Sequence, residues 1–286
     1  METIAINLLN GISYGMLLFL IASGLSLILG LMGIVNLTHG IIFVLGGFAG
    51  LTVAKLTGSL LLAVLAGAVM SGLAGLIIER AFLRLLYKQE LEQVLVTFGF
   101  VFIIANVVLW IWGAWPRAAF VPSYFAGSVP VMGFHFPIHR FAVIAIGAGI
   151  AFGLWWLQDK TKIGAIIRAG MDDAEMVSGL GINLTPINIG AFVLGSALAG
   201  GGCVIGVQLF GSIAHYDGVN MLLLAVAVVV IGGVGNVQGA LVGALLIGII
   251  DSFGRVYFPV MAAWTMYLVM IVILMIRPSG LLGRKL

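Results

Sequence analysis

A chain of 286 residues with 62% hydrophobic and only 8% charged side chains is far from the make-up of a water-soluble domain, in which roughly a quarter of residues are charged. Several apolar stretches approach the roughly 20 residues that carry a helix across about 30 Å of hydrocarbon. They come as runs and not as the alternation of an outer-membrane barrel. The net charge of +3 follows from loop topology and gives no reason to expect a nucleic-acid partner.

The first residues, METIAIN, lack a basic n-region, so the first apolar segment is read as retained. Apolar segments are predicted near residues 5–29, 34–54, 60–78, 93–113, 140–158, 187–207, 219–233, 238–251 and 261–276. The two between 219 and 251 are short, so the expected fold is all-α, a polytopic transmembrane helix bundle of about nine spans (range eight to ten). Residues 1–286 are read as one transmembrane domain.

Most Lys and Arg fall in three groups: Arg80, Arg84 and Lys88; Lys160, Lys162 and Arg168; Arg277, Arg284 and Lys285. The positive-inside rule makes all three cytoplasmic. Lys55, Arg117, Arg140 and Arg255 then lie near the outer face, the N-terminus outside and the C-terminus inside a bacterial-type inner membrane. The longest outer connection, residues 114–139, is rich in aromatics and prolines and suits contact with an external partner.

Small residues recur every four positions at Ala63, Gly67, Ser71 and Gly75, at Gly195, Ala199 and Cys203, and at Gly235, Gly239 and Gly243. This is the pattern of close helix crossings, so Gly67, Ser71, Gly75, Gly239 and Gly243 are read as packing residues. The lone Cys203 leaves no intramolecular disulfide.

Three soluble-enzyme patterns are discounted. GISYG around Ser13 lies in an apolar helical run with no strand before it. GVGNVQG, residues 233–239, has no βαβ unit around it. His135 and His139 have Pro137 between them, which spoils a helical metal site.

Energy coupling is more telling. The acids Glu79, Glu90, Glu92, Asp159, Asp172, Asp173 and Glu175 fall at helix ends and in cytoplasmic loops, with Asp217 and Asp251 at outer ends. The interior therefore offers no proton relay of the kind ion-driven carriers retain. There is no phosphate-binding loop either, so transport energy is expected from a partner. The loop TKIGAIIRAGMDDAEMVSGLGINLTP, residues 161–186, is where it would attach: Thr161 opens it, Ile163, Ile166 and Ile167 have helical spacing, and Gly179, Gly181 and Pro186 close it. Two short helices across the inner face are expected within a coupling loop at 159–186, a solvated connection being the alternative.

In this loop Thr161, Gly164, Arg168 and Ala169, Asp172 and Asp173, then Gly181, Ile182 and Asn183 resemble the cytoplasmic signature of LivH-type permease subunits of ABC importers for branched-chain amino acids. NGISYGMLLFLIASGLSLILGLMGIVNLTHG near the start and VVIGGVGNVQGALVGALLIG at 229–248 resemble the family in the same order. The resemblance implies a transport subunit without enzymatic activity. Arg168, Asp172, Asp173 and Glu175 would meet the ATPase, and Gly181 would turn the chain back to the membrane. Implied partners are two cytoplasmic ATPase subunits, a second, LivM-like permease, a periplasmic substrate-binding protein and the lipid bilayer. No cofactor is expected on this chain, ATP and Mg being held by the partners. Related permeases also carry urea, amides or aromatic and carboxylic acids, and a self-sufficient channel or secondary carrier is a further reading.

GIVNLTHG, residues 33–40, has a loose echo in GVGNVQG. Gly, Asn and a second polar side chain break an apolar run in both, as where broken helices from two halves line a substrate path. Asn36, His39, Asn236 and Gln238 are thus candidates for a translocation path or gate; tight turns near the cytoplasmic surface are the alternative.

Overall fold

A computed structural model describes residues 2–33, 36–87, 89–131 and 134–283; Lys88, Arg284 and Lys285 of the basic groups lie outside them. Helix α1 (Glu2–Met32) is apolar on every side, and a helix of that kind belongs in the middle of a bundle. Leu17 to Ala22 are completely buried. Around α1 stand α2 (Thr38–Thr57), α3 (Leu60–Ala81), α4 (Glu90–Trp112), α5 (Ile138–Lys160), α8 (Thr185–Phe210), α9 (Asp217–Gly232), α10 (Val237–Tyr257) and α11 (Ala262–Ile276). Two short helices, α6 (Lys162–Asp172) and α7 (Ala174–Gly179), lie between α5 and α8. Among the described residues seven helices are long and apolar enough to cross a membrane, and α9 and α11 are shorter apolar helices. Together they match the expected nine. Leu61, Leu65, Leu73, Phe102, Phe152 and Trp156 on α3, α4 and α5 are exposed, as a lipid-facing rim requires.

Backbone contact at glycines holds the centre together. Gly24 of α1 and Gly195 of α8 lie against each other, so that a Cβ on Gly24 would stand 2.5 Å from the Gly195 carbonyl oxygen and one on Gly195 2.8 Å from that of Gly24. Gly202 meets Leu20 and Gly206 meets Leu17, so α1 and α8 run antiparallel. Gly40 of α2 and Gly218 of α9 repeat this reciprocal contact. In addition α1 packs along α10 as α8 packs along α3. These pairings exchange α1 with α8, α2 with α9 and α3 with α10, which is an inverted repeat.

The repeat explains the breaks. Gly33 (φ 67°) follows α1, and α2 starts beside the middle of α1, where His39 meets the Ile21 carbonyl. After α8 the chain turns at Gly211 (φ 81°) and starts α9 at the Gly40–Gly218 crossing, which is why α9 is short. The structural counterpart of the start of α2 is therefore the start of α9. Strand β1 (Arg117–Ala118) pairs antiparallel with β4 (Ser212–Ile213) and ties the long connection over that second break, while β2 (Ser128–Val131) and β3 (Phe134–Pro137) form a hairpin beside it.

Arg80, Arg84, Lys160, Lys162, Arg168 and Arg277 gather at the end that carries α6 and α7, and Lys55, Arg117, Arg140 and Arg255 at the opposite end.

Gly40→Val should abolish correctly folded protein, because its Cβ would lie 2.0 Å from the Gly218 oxygen and overpacking against rigid backbone costs about 1–3 kcal/mol or more. Gly149→Ala, where nothing lies within 4 Å, should leave the yield intact. Size-exclusion chromatography of the detergent-solubilised variants reads the difference.

Candidate functional site

The turn from α5 into α6 is built by Thr161. Its hydroxyl accepts from Gly164 N at 3.0 Å, capping α6, and donates to Leu157 O at 2.6 Å, holding on to α5. Only glycine fits at 164, since a Cβ would stand 2.2 Å from the Gln158 oxygen. Helix α6 buries Gly164, Ile167 and Gly170, and Met171 reaches Gly30 and Gly235. Asp173 caps α7 by accepting from Met176 N at 2.8 Å. The chain then turns at Gly181 (φ 82°), and Asn183 accepts from Thr185 N at 2.9 Å to start α8. Both α6 and α7 are thus locally specified helices. Asp172 and Glu175 are exposed, and Asp173 is both exposed and engaged as a cap.

Arg168 points back to α5, where it pairs with Asp159 at 3.4 Å. The other oxygen of Asp159 accepts from Gln238 Nε2 at 3.1 Å. Next to it, Gln158 donates to Gly235 O at 2.9 Å and accepts from Val237 N at 3.4 Å, while Ser26 of α1 accepts from Gly235 N at 3.1 Å. Asn236 caps α10 by accepting from Gly239 N at 3.0 Å and donates to Leu282 O at 2.9 Å. A single polar knot therefore joins α5, α6, the α9–α10 turn and the C-terminal segment, bringing Arg168 together with Asn236 and Gln238. Beside it, a cavity of about 690 Å³ opens between the α1 end, the α4 start and α7, with Glu175 and Gly181 among its walls. Tyr87 and Gln93 also line it. Tyr87 donates to the buried Glu79 carboxylate; burial, and then that carboxylate, push the Tyr87 phenol above its ordinary range, so it stays a neutral donor.

Asn36 and His39 are elsewhere. Both are fully buried beside the middle of α1. Asn36 Oδ1 accepts from Thr38 N at 3.0 Å and from the Thr38 hydroxyl, a local turn just ahead of α2. His39 Nε2 donates to Ile21 O at 2.9 Å, since a carbonyl only accepts. Asn36 Nδ2 and His39 Nδ1 remain buried without a protein partner. Gly30, against which Gly235 packs, is nine residues from Ile21 along α1, or about 13 Å. The two polar breaks thus occupy different levels and do not form one cluster.

The small-residue stripes sit at crossings. Gly67 lies against Gly46, Ser71 donates to Ile42 O at 2.9 Å, and Gly75 lies against Ser196. Gly239 and Gly243 lie against Gly232. Sequence reasoning passed over Gln158, Ser26 and Met171. A polar residue inside an apolar run was the available signal for Ser26, whereas Gln158, followed directly by Asp159 and Lys160, and the apolar Met171 carried none.

A family described as "Branched-chain amino acid transport system / permease component" matches residues 7–277. The chain belongs to that family. Similar to this permease are the high-affinity branched-chain amino acid transport system permease protein LivH of Escherichia coli K12, 30% identical over 97% of this chain and 95% of that one, and BraD of Pseudomonas aeruginosa, 28% identical with the same coverage. The probable LivH of Methanocaldococcus jannaschii is 28% identical over 96% of this chain and 91% of its own. In fold the permease is similar to the solved structure "PsaBC from Streptococcus pneumoniae in complex with Fab", with a TM-score of 0.51 at 12% identity, covering 96% of this chain and 91% of that one.

Replacing Gln158 by Leu strands the Gly235 carbonyl and the Val237 amide in a buried turn, and each stranded group costs about 1–3 kcal/mol. A clear fall in thermal unfolding temperature is expected. Asp159→Ala removes a partly exposed ion pair with Arg168 and an exposed hydrogen bond from Gln238, together worth about 1 kcal/mol, and should lower that temperature by less than Gln158→Leu does.

Proposed function

We propose that this permease is the membrane-spanning subunit of an ATP-driven importer and forms the path for branched-chain or other small hydrophobic amino acids delivered by a periplasmic binding protein. The observation that carries this reading is the α6–α7 pair. It is capped at both starts, presents Asp172 and Glu175 outward, and is tied through Asp159 and Gln158 to the α9–α10 turn. A push on α6 from an ATPase reaches α10 and the C-terminal segment without passing through a flexible linker.

In this reading the basic end is cytoplasmic, with the C-terminus on that side of the inner membrane. Two ATPase subunits bind there, a second LivM-like permease completes the membrane part, and ATP and Mg belong to the ATPases. Asn236 and Gln238 act in the inner gate. Asn36 and His39 sit on the path, where the unpaired Asn36 Nδ2 donor and His39 Nδ1 acceptor offer a passing zwitterion one bond to each end. A solute handed over by a binding protein needs little more, because weak sites release quickly.

The test is co-purification and ATP-driven leucine uptake in proteoliposomes with the native partners. The double variant Asp172→Lys, Glu175→Lys should lose the ATPase subunits, or lower uptake by roughly tenfold or more, as expected when like charges are set against a complementary interface. Asp173 is left in place because it caps α7. Uptake by the purified chain alone, without ATP, would replace the importer reading with a channel or carrier.

A further inference from the structure

At the end opposite α6, a second cavity of about 280 Å³ lies between α1, α5, α8 and α10. That is the small end of the range for ligand pockets and suits one free amino acid, not a peptide. Asn7, Asn10 and Tyr14 reach it from one face of α1, Arg140 from the start of α5, and Asp251 and Arg255 from α10. Leu209, Phe210 and Val256 supply its apolar wall.

The charges are arranged unevenly. Arg140 donates to the neutral Asn10 Oδ1, and no carboxylate of the described residues pairs with it. Asn7, 5% exposed, has its Nδ2 buried without a partner. A guanidinium and an amide donor thus border one small pocket with acceptor capacity missing, which is the complement of a carboxylate. Asp251 supplies the opposite sign. Its side chain is only 15% exposed and accepts from Arg255 at 2.7 and 3.2 Å. Arg255 itself is 65% exposed and lies 5.9 Å from the centre of the Tyr14 ring, a second seat for the cation if it yields Asp251 to another.

We infer that this pocket is an entry site for a free aliphatic α-amino acid: its carboxylate on Arg140 and Asn7, its ammonium at Asp251, and its side chain against Leu209, Phe210 and Val256. The site requires both charged ends and so rejects amines and fatty acids of the same shape. It rests on the importer reading for its place in the cycle, as the first site a released solute meets.

The full-length chain, purified with its membrane partners but without the binding protein and placed in lipid nanodiscs, is titrated with L-leucine, L-leucinol and 4-methylvalerate. Leucine should bind in the millimolar range. Leucinol, which lacks the carboxylate, and 4-methylvalerate, which lacks the ammonium, should each bind at least about tenfold more weakly, the size expected for losing one charge-assisted contact. Arg140→Gln should reduce leucine binding to the level of leucinol, and Arg140→Lys should restore part of it. Equal binding of the three probes to the wild type, or no leucine binding at millimolar concentration, overturns the site without any variant having to fold. ATP-driven uptake by the same preparation tests the importer reading separately, so either can fail while the other is measured.

Discussion

Everything in this bundle depends on backbone approaching backbone at glycine. Helices in lipid gain nothing from hiding apolar surface from one another, since the tails are as apolar as leucine; association comes from packing and from hydrogen bonds. At Gly24 with Gly195 and at Gly40 with Gly218 the two chains are so close that not even a methyl group fits. Those two crossings lie on the relation that exchanges the halves, so they set the position of α1 against α8 and of α2 against α9. The placement of α10 along α1 and of α3 along α8 follows. A side chain at any of the four positions would separate the halves and open the centre.

The same crossings make the broken backbone tolerable. Exposed amide and carbonyl groups cannot face hydrocarbon, and irregular segments persist only where protein satisfies them. At the start of α2, Asn36 accepts from the Thr38 amide and His39 takes up the Ile21 carbonyl. The break after α8 is covered by the β1–β4 pair. Each half thus carries one helix that starts inside the bundle, the first beside the uncharged Asn36 and His39 and the second at Asp217, whose carboxylate accepts from Ala214 N at 2.7 Å.

Along α1 the polar features form a sequence of levels. Asn7 and Asn10 stand at one end with Arg140 and Asp251 nearby, Ile21 and His39 at the middle, and Ser26 and Gly30 at the end where α6 docks. One helix thus touches the outer pocket, the buried Asn36–His39 region and the polar knot beside α6, so that these three places share a single packed element. Gln158 is the firm part of that knot, since its buried bonds are to backbone, whereas those of Asp159 are exposed.

Hydropathy runs determined the helices and their order, because the need to fill about 30 Å of hydrocarbon acts on each segment by itself. Capping chemistry is equally local, so Thr161, Gly181 and Pro186 announced the α6–α7 loop and its ends. Gly, Asn and a polar neighbour likewise announced that the chain breaks at 33–40 and at 233–239. They did not announce depth. A local pattern fixes the backbone's shape, whereas depth follows from which helix lies alongside, and only the packing set Asn36 and His39 at the middle of α1 and Asn236 and Gln238 beside Asp159. Gly33 and Gly40 have their counterparts in Gly211 and Gly218 at the same spacing, but Asn36 has none, so the two segments are matched by helix exchange and not by their polar residues. The entry pocket was illegible for the same reason: Asn7, Arg140 and Asp251 come from three helices far apart in the chain, and no local rule connects residues that only tertiary contact brings together.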